Sequence, residues 1–171
     1  MCLCLGPTGS GKTLLLRKIQ HINAVDETTT AVPTVGTNLF NLRRGNIQIE
    51  IRELGGIMAP IWPKYFASAK RIMYVVDASN LCQISAAGVL LYTVLADPQV
   101  KNVKVLLVLT KMDVSYRQMR NEALLMLQIR RLQKEVKQEI IVIEASAITG
   151  EGRNEILQWL FAEDTKRSIL N

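Results

Sequence analysis

Eight residues near the start of the chain, Gly6-Pro7-Thr8-Gly9-Ser10-Gly11-Lys12-Thr13, have the types and spacing of a phosphate cradle. Glycines let the backbone wrap tightly around a phosphate, so that the successive N–H groups of Thr8, Gly9, Ser10 and Gly11 can point inward as donors. A helix opening at Lys12 adds the positive end of its dipole to the same place. Lys12 can then neutralise β- and γ-phosphate oxygens, and the Thr13 hydroxyl can bind Mg²⁺. The pattern G-x-x-x-x-G-K-[ST] is met in full, with an apolar strand before it and a helical pattern after it. By itself it does not choose the base, and an ATPase could carry it equally well.

A second group can make that choice. Thr110-Lys111-Met112-Asp113 directly follows the apolar run 103–109. The Asp113 carboxylate can accept hydrogen bonds from guanine N1–H and the 2-amino group. Adenine offers neither donor, so a buried aspartate would stay unpaired against it. Lys111 can lay its stem along the purine face. The segment resembles the N-K-x-D element of small GTPases in its T-K-x-D variant. Glu144-Ala145-Ser146-Ala147 resembles their E-x-S-A-K element, which implies that Ser146 and Ala147 belong to the base site, with the Ala147 N–H meeting the guanine oxygen. Ile148 stands where that element has lysine.

Pro33-Thr34-Val35-Gly36-Thr37-Asn38 resembles the P-T-x-G-x-N stretch of the ADP-ribosylation factor branch of the Ras superfamily. The resemblance implies that Thr34 reaches Mg²⁺ and the γ-phosphate, although on chemistry alone Thr37 competes for that role. Glu53-Leu54-Gly55-Gly56 stands where the family has D-x-G-G-Q, which makes Gly56 the residue whose N–H senses the γ-phosphate. Pro60-Ile61-Trp62, Tyr65-Phe66 and Tyr74–Ser79 extend the likeness over essentially the whole chain. It implies a switch that binds GTP or GDP with Mg²⁺ and recruits protein effectors. An exchange factor and a GTPase-activating protein are implied as further partners, in membrane or ciliary traffic.

The pattern breaks in four places. Glu53 replaces the aspartate that steers the metal's water shell, and its longer side chain is expected to shift or weaken that site. Ile57 follows Gly56 where a water-positioning glutamine is expected, so unaided hydrolysis should be very slow. The family's N-terminal amphipathic helix is not seen before the first strand, so its membrane switch is not expected to operate. Of the aromatic triad that reads effectors, two members are replaced by Thr37 and Arg52, while Tyr65 remains. Two alternatives stay open: a nucleotide-locked scaffold that no longer cycles, and a P-loop ATPase or small kinase, against which Asp113 speaks.

These residues need a frame. Apolar runs at 1–5, 71–76, 103–109 and 140–143 read as strands, with helical patterns at 13–22, 84–95, 118–137 and 151–161 between and after them. Segments 39–42 and 47–51 flank Arg43-Arg44-Gly45-Asn46 as an antiparallel hairpin. The expectation is an α/β three-layer sandwich of the P-loop NTPase type: a mostly parallel six-stranded sheet with one antiparallel hairpin strand and helices on both faces, residues 1–171 forming one domain. With 49% hydrophobic and 21% charged residues, disorder is excluded. No apolar run approaches the ~18 residues that span a bilayer, and the short start carries no leader. A cytoplasmic monomer without a stable membrane anchor is therefore expected, with peripheral membrane association as the alternative.

The net charge of +6 is spread over Arg43-Arg44, Lys70-Arg71, Arg130-Arg131 and Lys166-Arg167. Aromatics make up 5% and do not interleave with the basic pairs, so nucleic acid is not an expected partner. Cys2, Cys4 and Cys82 match neither a disulfide framework nor a zinc site; Cys2 and Cys4 read as buried thiols, with palmitoylation of Cys2 the sharper alternative. His21 has no ligand or triad partner at a useful spacing, and Trp62 and Trp159 read as core or interface anchors.

Overall fold

A computed structural model of the chain describes residues 1–162; the basic pair Lys166-Arg167 lies outside them. Six strands, β1 (Cys2–Leu5), β2 (Thr37–Arg44), β3 (Ile47–Leu54), β4 (Arg71–Asp77), β5 (Lys104–Thr110) and β6 (Ile140–Glu144), form one sheet in the order β2-β3-β1-β4-β5-β6. Only β2–β3 is antiparallel; β1 pairs in parallel with β3 and β4, β4 with β5, and β5 with β6. The hairpin is longer than its apolar alternation indicates, reaching Thr37 and Leu54. Apolar side chains alternate between two cores, one on each face of the sheet. Leu3 and Leu5 face one core with Tyr74, Val76, Leu107 and Leu109. Cys2 and Cys4 face the other with Met73, Val75, Leu106 and Val108.

Helices cover both cores, giving the expected three layers. Helices α1 (Lys12–Gln20) and α6 (Arg153–Phe161) bury Leu15, Leu16, Ile19, Ile156 and Leu160 on the thiol side. The opposite face is covered by the short α2 (Pro63–Phe66), by α3 (Leu81–Ala96), and by α4 (Arg117–Met126) and α5 (Ile129–Glu135). Trp62 is a core anchor: it packs edge-on against Tyr74 at 6.5 Å and donates its indole N–H to the Gly55 carbonyl at 3.2 Å.

Two helices differ from the sequence expectation. The pattern at 118–137 is not continuous, because Gln128 adopts a left-handed conformation with φ 50°. Leu127 and Ile129 are both buried. On an unbroken helix, residues two apart project roughly 200° apart and would not share one core. The first helix stops at Gln20, leaving Ile22 exposed. Its next turn is pre-empted by Arg153, whose guanidinium donates to the Lys18 and Ile19 carbonyls, both at 2.9 Å. Those are the acceptors that residues 22 and 23 would need to continue an α-helix. His21 is exposed, and among the described residues no cluster of His, Cys, Asp and Glu could hold a metal ion. Among the same residues no helix is long and apolar enough to cross a membrane.

Candidate functional site

The loops following β1, β3, β4, β5 and β6 gather at the carboxyl ends of the parallel strands, where open α/β sheets present a crevice. The loop after β1 is shaped by its glycines. A Cβ on Gly6 would lie 2.2 Å from the Val75 carbonyl oxygen, and Gly9 and Gly11 hold φ values of 79° and 86°. Lys12 is 5% exposed, and its ammonium donates to the carbonyls of Gly6 at 2.9 Å and Pro7 at 2.8 Å. Burial lowers its pKa, partly offset by the Glu53 carboxylate. Beneath the loop, burial pushes the Cys2 thiol up to about 12 and raises Cys4 well above the ordinary thiol range, with Glu53 adding to the latter. Both thiols are neutral, buried packing groups, and Cys2 is not available for acylation in this fold.

Across the cleft, oxygen atoms from three segments converge. The Thr13 and Thr34 hydroxyls lie 2.8 Å apart, and the Glu53 carboxylate accepts from Thr13 at 2.5 Å and from Thr34 at 3.4 Å. Its other oxygen accepts from the Asn38 amide at 2.8 Å, which the β2–β3 register places directly opposite. Glu53 is fully buried, and these bonds are what make its burial tolerable. Thr37 is exposed on β2, outside this cluster, so Thr34 is the threonine brought to Thr13. Glycines permit the approach. A Cβ on Gly55 would meet the Thr34 carbonyl oxygen at 2.5 Å, and one on Gly56 would meet the Thr8 amide nitrogen at 2.2 Å.

At the other end the loops after β5 and β6 lock together. Thr110 donates to the Ser10 carbonyl at 2.6 Å and the Val76 carbonyl at 3.0 Å, fastening β5 to the glycine loop. Lys111, with φ 60°, directs its ammonium to Asp77 at 2.6 Å. The second Asp77 oxygen takes the Ser79 amide and hydroxyl, at 2.8 and 2.5 Å. Asp113 is exposed and accepts from the buried Ser146 hydroxyl at 2.5 Å, while the Ser146 oxygen takes the Thr149 amide at 3.1 Å. Ala147, next in the chain, is half-buried.

One cleft is lined by Thr8, Gly9, Gly11, Lys12, Thr13, Thr34, Gly56 and Lys111 together with Glu53. Ser10 and Thr110 are buried, bonded to each other. Asp113, Ser146 and Ala147 do not line that cleft; they follow β5 and β6. Sequence reasoning assigned no role to Asp77 or Asn38. For Asp77 a local signal existed, since Asp-Ala-Ser is an Asx-turn pattern at a strand end. Of the residues expected to face effectors, Arg52 stacks its guanidinium over the Tyr65 ring at 5.8 Å. Thr37 shares their hairpin face, because Leu39 pairs with Arg52 and Thr37 with Leu54. Ile57, in the glutamine position, is 74% exposed.

This geometry agrees with the comparisons to known proteins. A sequence model of the ADP-ribosylation factor family matches residues 1–164. ADP-ribosylation factor-like protein 16 of Homo sapiens is 37% identical over 168 residues, spanning 95% of this chain and 85% of that protein. ADP-ribosylation factor-like protein 1 of Saccharomyces cerevisiae is 29% identical over 160 residues, spanning 92% and 84%. Among solved structures, the Arl6 BBS3 small GTPase of Trypanosoma brucei with bound nucleotide analogue GppNp shares the fold, with a TM-score of 0.76, 20% identity and 94% of each chain covered. The chain belongs to the ADP-ribosylation factor family, a branch of the small GTPases.

Proposed function

We propose that this protein is a guanine-nucleotide switch whose GTP-bound state recruits protein effectors and whose unaided hydrolysis is very slow. The observation that carries this reading is the union of Thr34 with Thr13 through Glu53, which closes the 33–38 loop onto the phosphate cradle. A loop so placed can report the γ-phosphate, with the Gly56 N–H as the second sensor beside Thr8. Asp113, steadied by Ser146, selects guanine by accepting from N1–H and the 2-amino group. The T. brucei relative named above was solved with a nucleotide analogue, which supports nucleotide as the ligand class.

The oxygen-only cluster suits Mg²⁺, a hard cation that takes hydroxyl and carboxylate donors. Thr13 and Thr34 would hold the ion, and Glu53 would orient both hydroxyls. When bound, Mg²⁺ would neutralise charge on the β- and γ-phosphate oxygens. Lys12, whose ammonium is held at the loop carbonyls, would share that task. The Ile57 side chain has no polar atom with which to orient an attacking water, which is the basis for slow turnover. Effector recruitment is supported by the apolar side chains of Val35 in the 33–38 loop, Leu39 just after it and Ile57 just after Gly56, all of which stand exposed.

Single-turnover hydrolysis of preloaded GTP tests the reading. The expected rate lies below the roughly 10⁻⁴ s⁻¹ scale of unassisted small GTPases. Hydrolysis at or above that scale would remove the slow-switch reading, and failure to load any guanine nucleotide would remove the proposal as a whole.

A further inference from the structure

Lys18 lies on α1, six residues beyond Lys12, and is only 7% exposed. Its ammonium donates to two main-chain carbonyls, Val25 at 3.0 Å and Ile148 at 3.2 Å. Burying an ammonium is costly unless its donors are engaged, and a methionine of similar length would pack at this position without that cost. The two acceptors show what the charge achieves. Ile148 is the residue after Ala147, and Val25 belongs to the loop that leads from α1 to Thr34.

Among the described residues, the segment 146–150 is otherwise held by its own turn, by the Ser146 hydroxyl on Asp113 and by the Arg153 N–H on the Gly150 carbonyl at 3.3 Å. The Ser146 amide donates to the Glu151 carbonyl at 3.1 Å, and Gly150 donates back to Ser146 at 2.9 Å. Gly150, with φ 85°, takes the left-handed turn there, and its Cα lies beside the Lys18 stem, a Cβ on it coming to 3.4 Å from Lys18 Cε. Ala147 thus stands between one neighbour fixed by its side chain and another fixed by Lys18. Arg153 fastens the Lys18 and Ile19 carbonyls at the same point, so α1, α6 and the 146–150 loop meet as one unit.

We propose that Lys18 is a positioning residue for base recognition, holding the Ile148 carbonyl so that the Ala147 N–H faces the guanine 6-oxygen, and tying that loop through Val25 to the segment carrying Thr34. The inference rests on the guanine-nucleotide reading above. Lys18 itself touches no nucleotide atom; it acts through Ile148 and Val25.

The test compares affinities for GDP and 6-thio-GDP, which differ only at the 6-position and leave N1–H and the 2-amino group for Asp113. The wild type is expected to prefer GDP. Lys18→Met should weaken GDP about 10-fold, the worth of one such hydrogen bond, and bring the GDP to 6-thio-GDP ratio close to one. Lys18→Arg, which keeps donors at this site, should recover part of the ratio. Lys18→Leu provides a second neutral variant without donors if Lys18→Met folds poorly, because the ratio is read on the folded fraction alone. An unchanged ratio in whichever neutral variant folds would overturn the proposal, whether GDP affinity is kept or both nucleotides weaken equally. If the wild type binds neither nucleotide, the guanine reading fails and this inference fails with it.

Discussion

On the proposed reading, the phosphate end of the cleft offers main-chain amides of the loop shaped by Gly6, Gly9 and Gly11, whereas the base end depends on side chains that hold one another. The first arrangement is local: eight consecutive residues, one of them the buried Lys12, build it. The second is assembled from distant parts, with Lys111 reaching back to Asp77 and Asp113 reaching forward to Ser146. Main-chain amides bind phosphate whatever base it carries, and a network of side chains can discriminate. The two ends should therefore fail differently when damaged.

The largest effect is expected at the phosphate end. Lys12→Met should cost about 10³-fold in affinity, because two or more charge-assisted hydrogen bonds to phosphate are lost. The loss should be equal for GDP, XDP and IDP in competition binding; a base-dependent loss would break the division between the ends. Asp113→Asn comes next. It should weaken GDP by about 10²-fold yet improve XDP, whose 2-oxo group accepts from the asparagine amide where the 2-amino group donated to the aspartate. Unchanged GDP binding in that variant would show that Asp113 does not read the base. Ser146→Ala should be the mildest, about 10-fold on GDP with xanthine still excluded, since the carboxylate survives but loses its steadying hydroxyl. An effect as large as that of Asp113→Asn would make Ser146 a direct reader instead.

The same division explains what could be read from the residues alone. The phosphate loop was legible because its geometry is dictated by neighbouring glycines, and the central strands because burial on both faces makes them continuously apolar. Thr34 was implied by the family resemblance, but on chemistry alone it is the closure of 33–38 onto Thr13 that separates it from Thr37, three residues away. The early end of α1 was invisible because the group that ends it, Arg153, lies more than 130 residues downstream. Gln128 carries a left-handed conformation that sequence normally signals with glycine, so the break between α4 and α5 left no mark. Lys18 carries no local mark in the sequence, because its two carbonyl partners, Val25 and Ile148, come from loops that only the fold brings to it. Glu53 was expected to loosen the metal site, and in the fold its carboxylate joins both threonines.

The central claim is that this cleft holds a guanine nucleotide, and the most direct test is the nucleotide the protein carries with it. Purification without added nucleotide, followed by denaturation and chromatographic identification of what is released, should yield guanine nucleotide, with GTP prominent because turnover is slow. Release of ATP or ADP in its place would contradict the account.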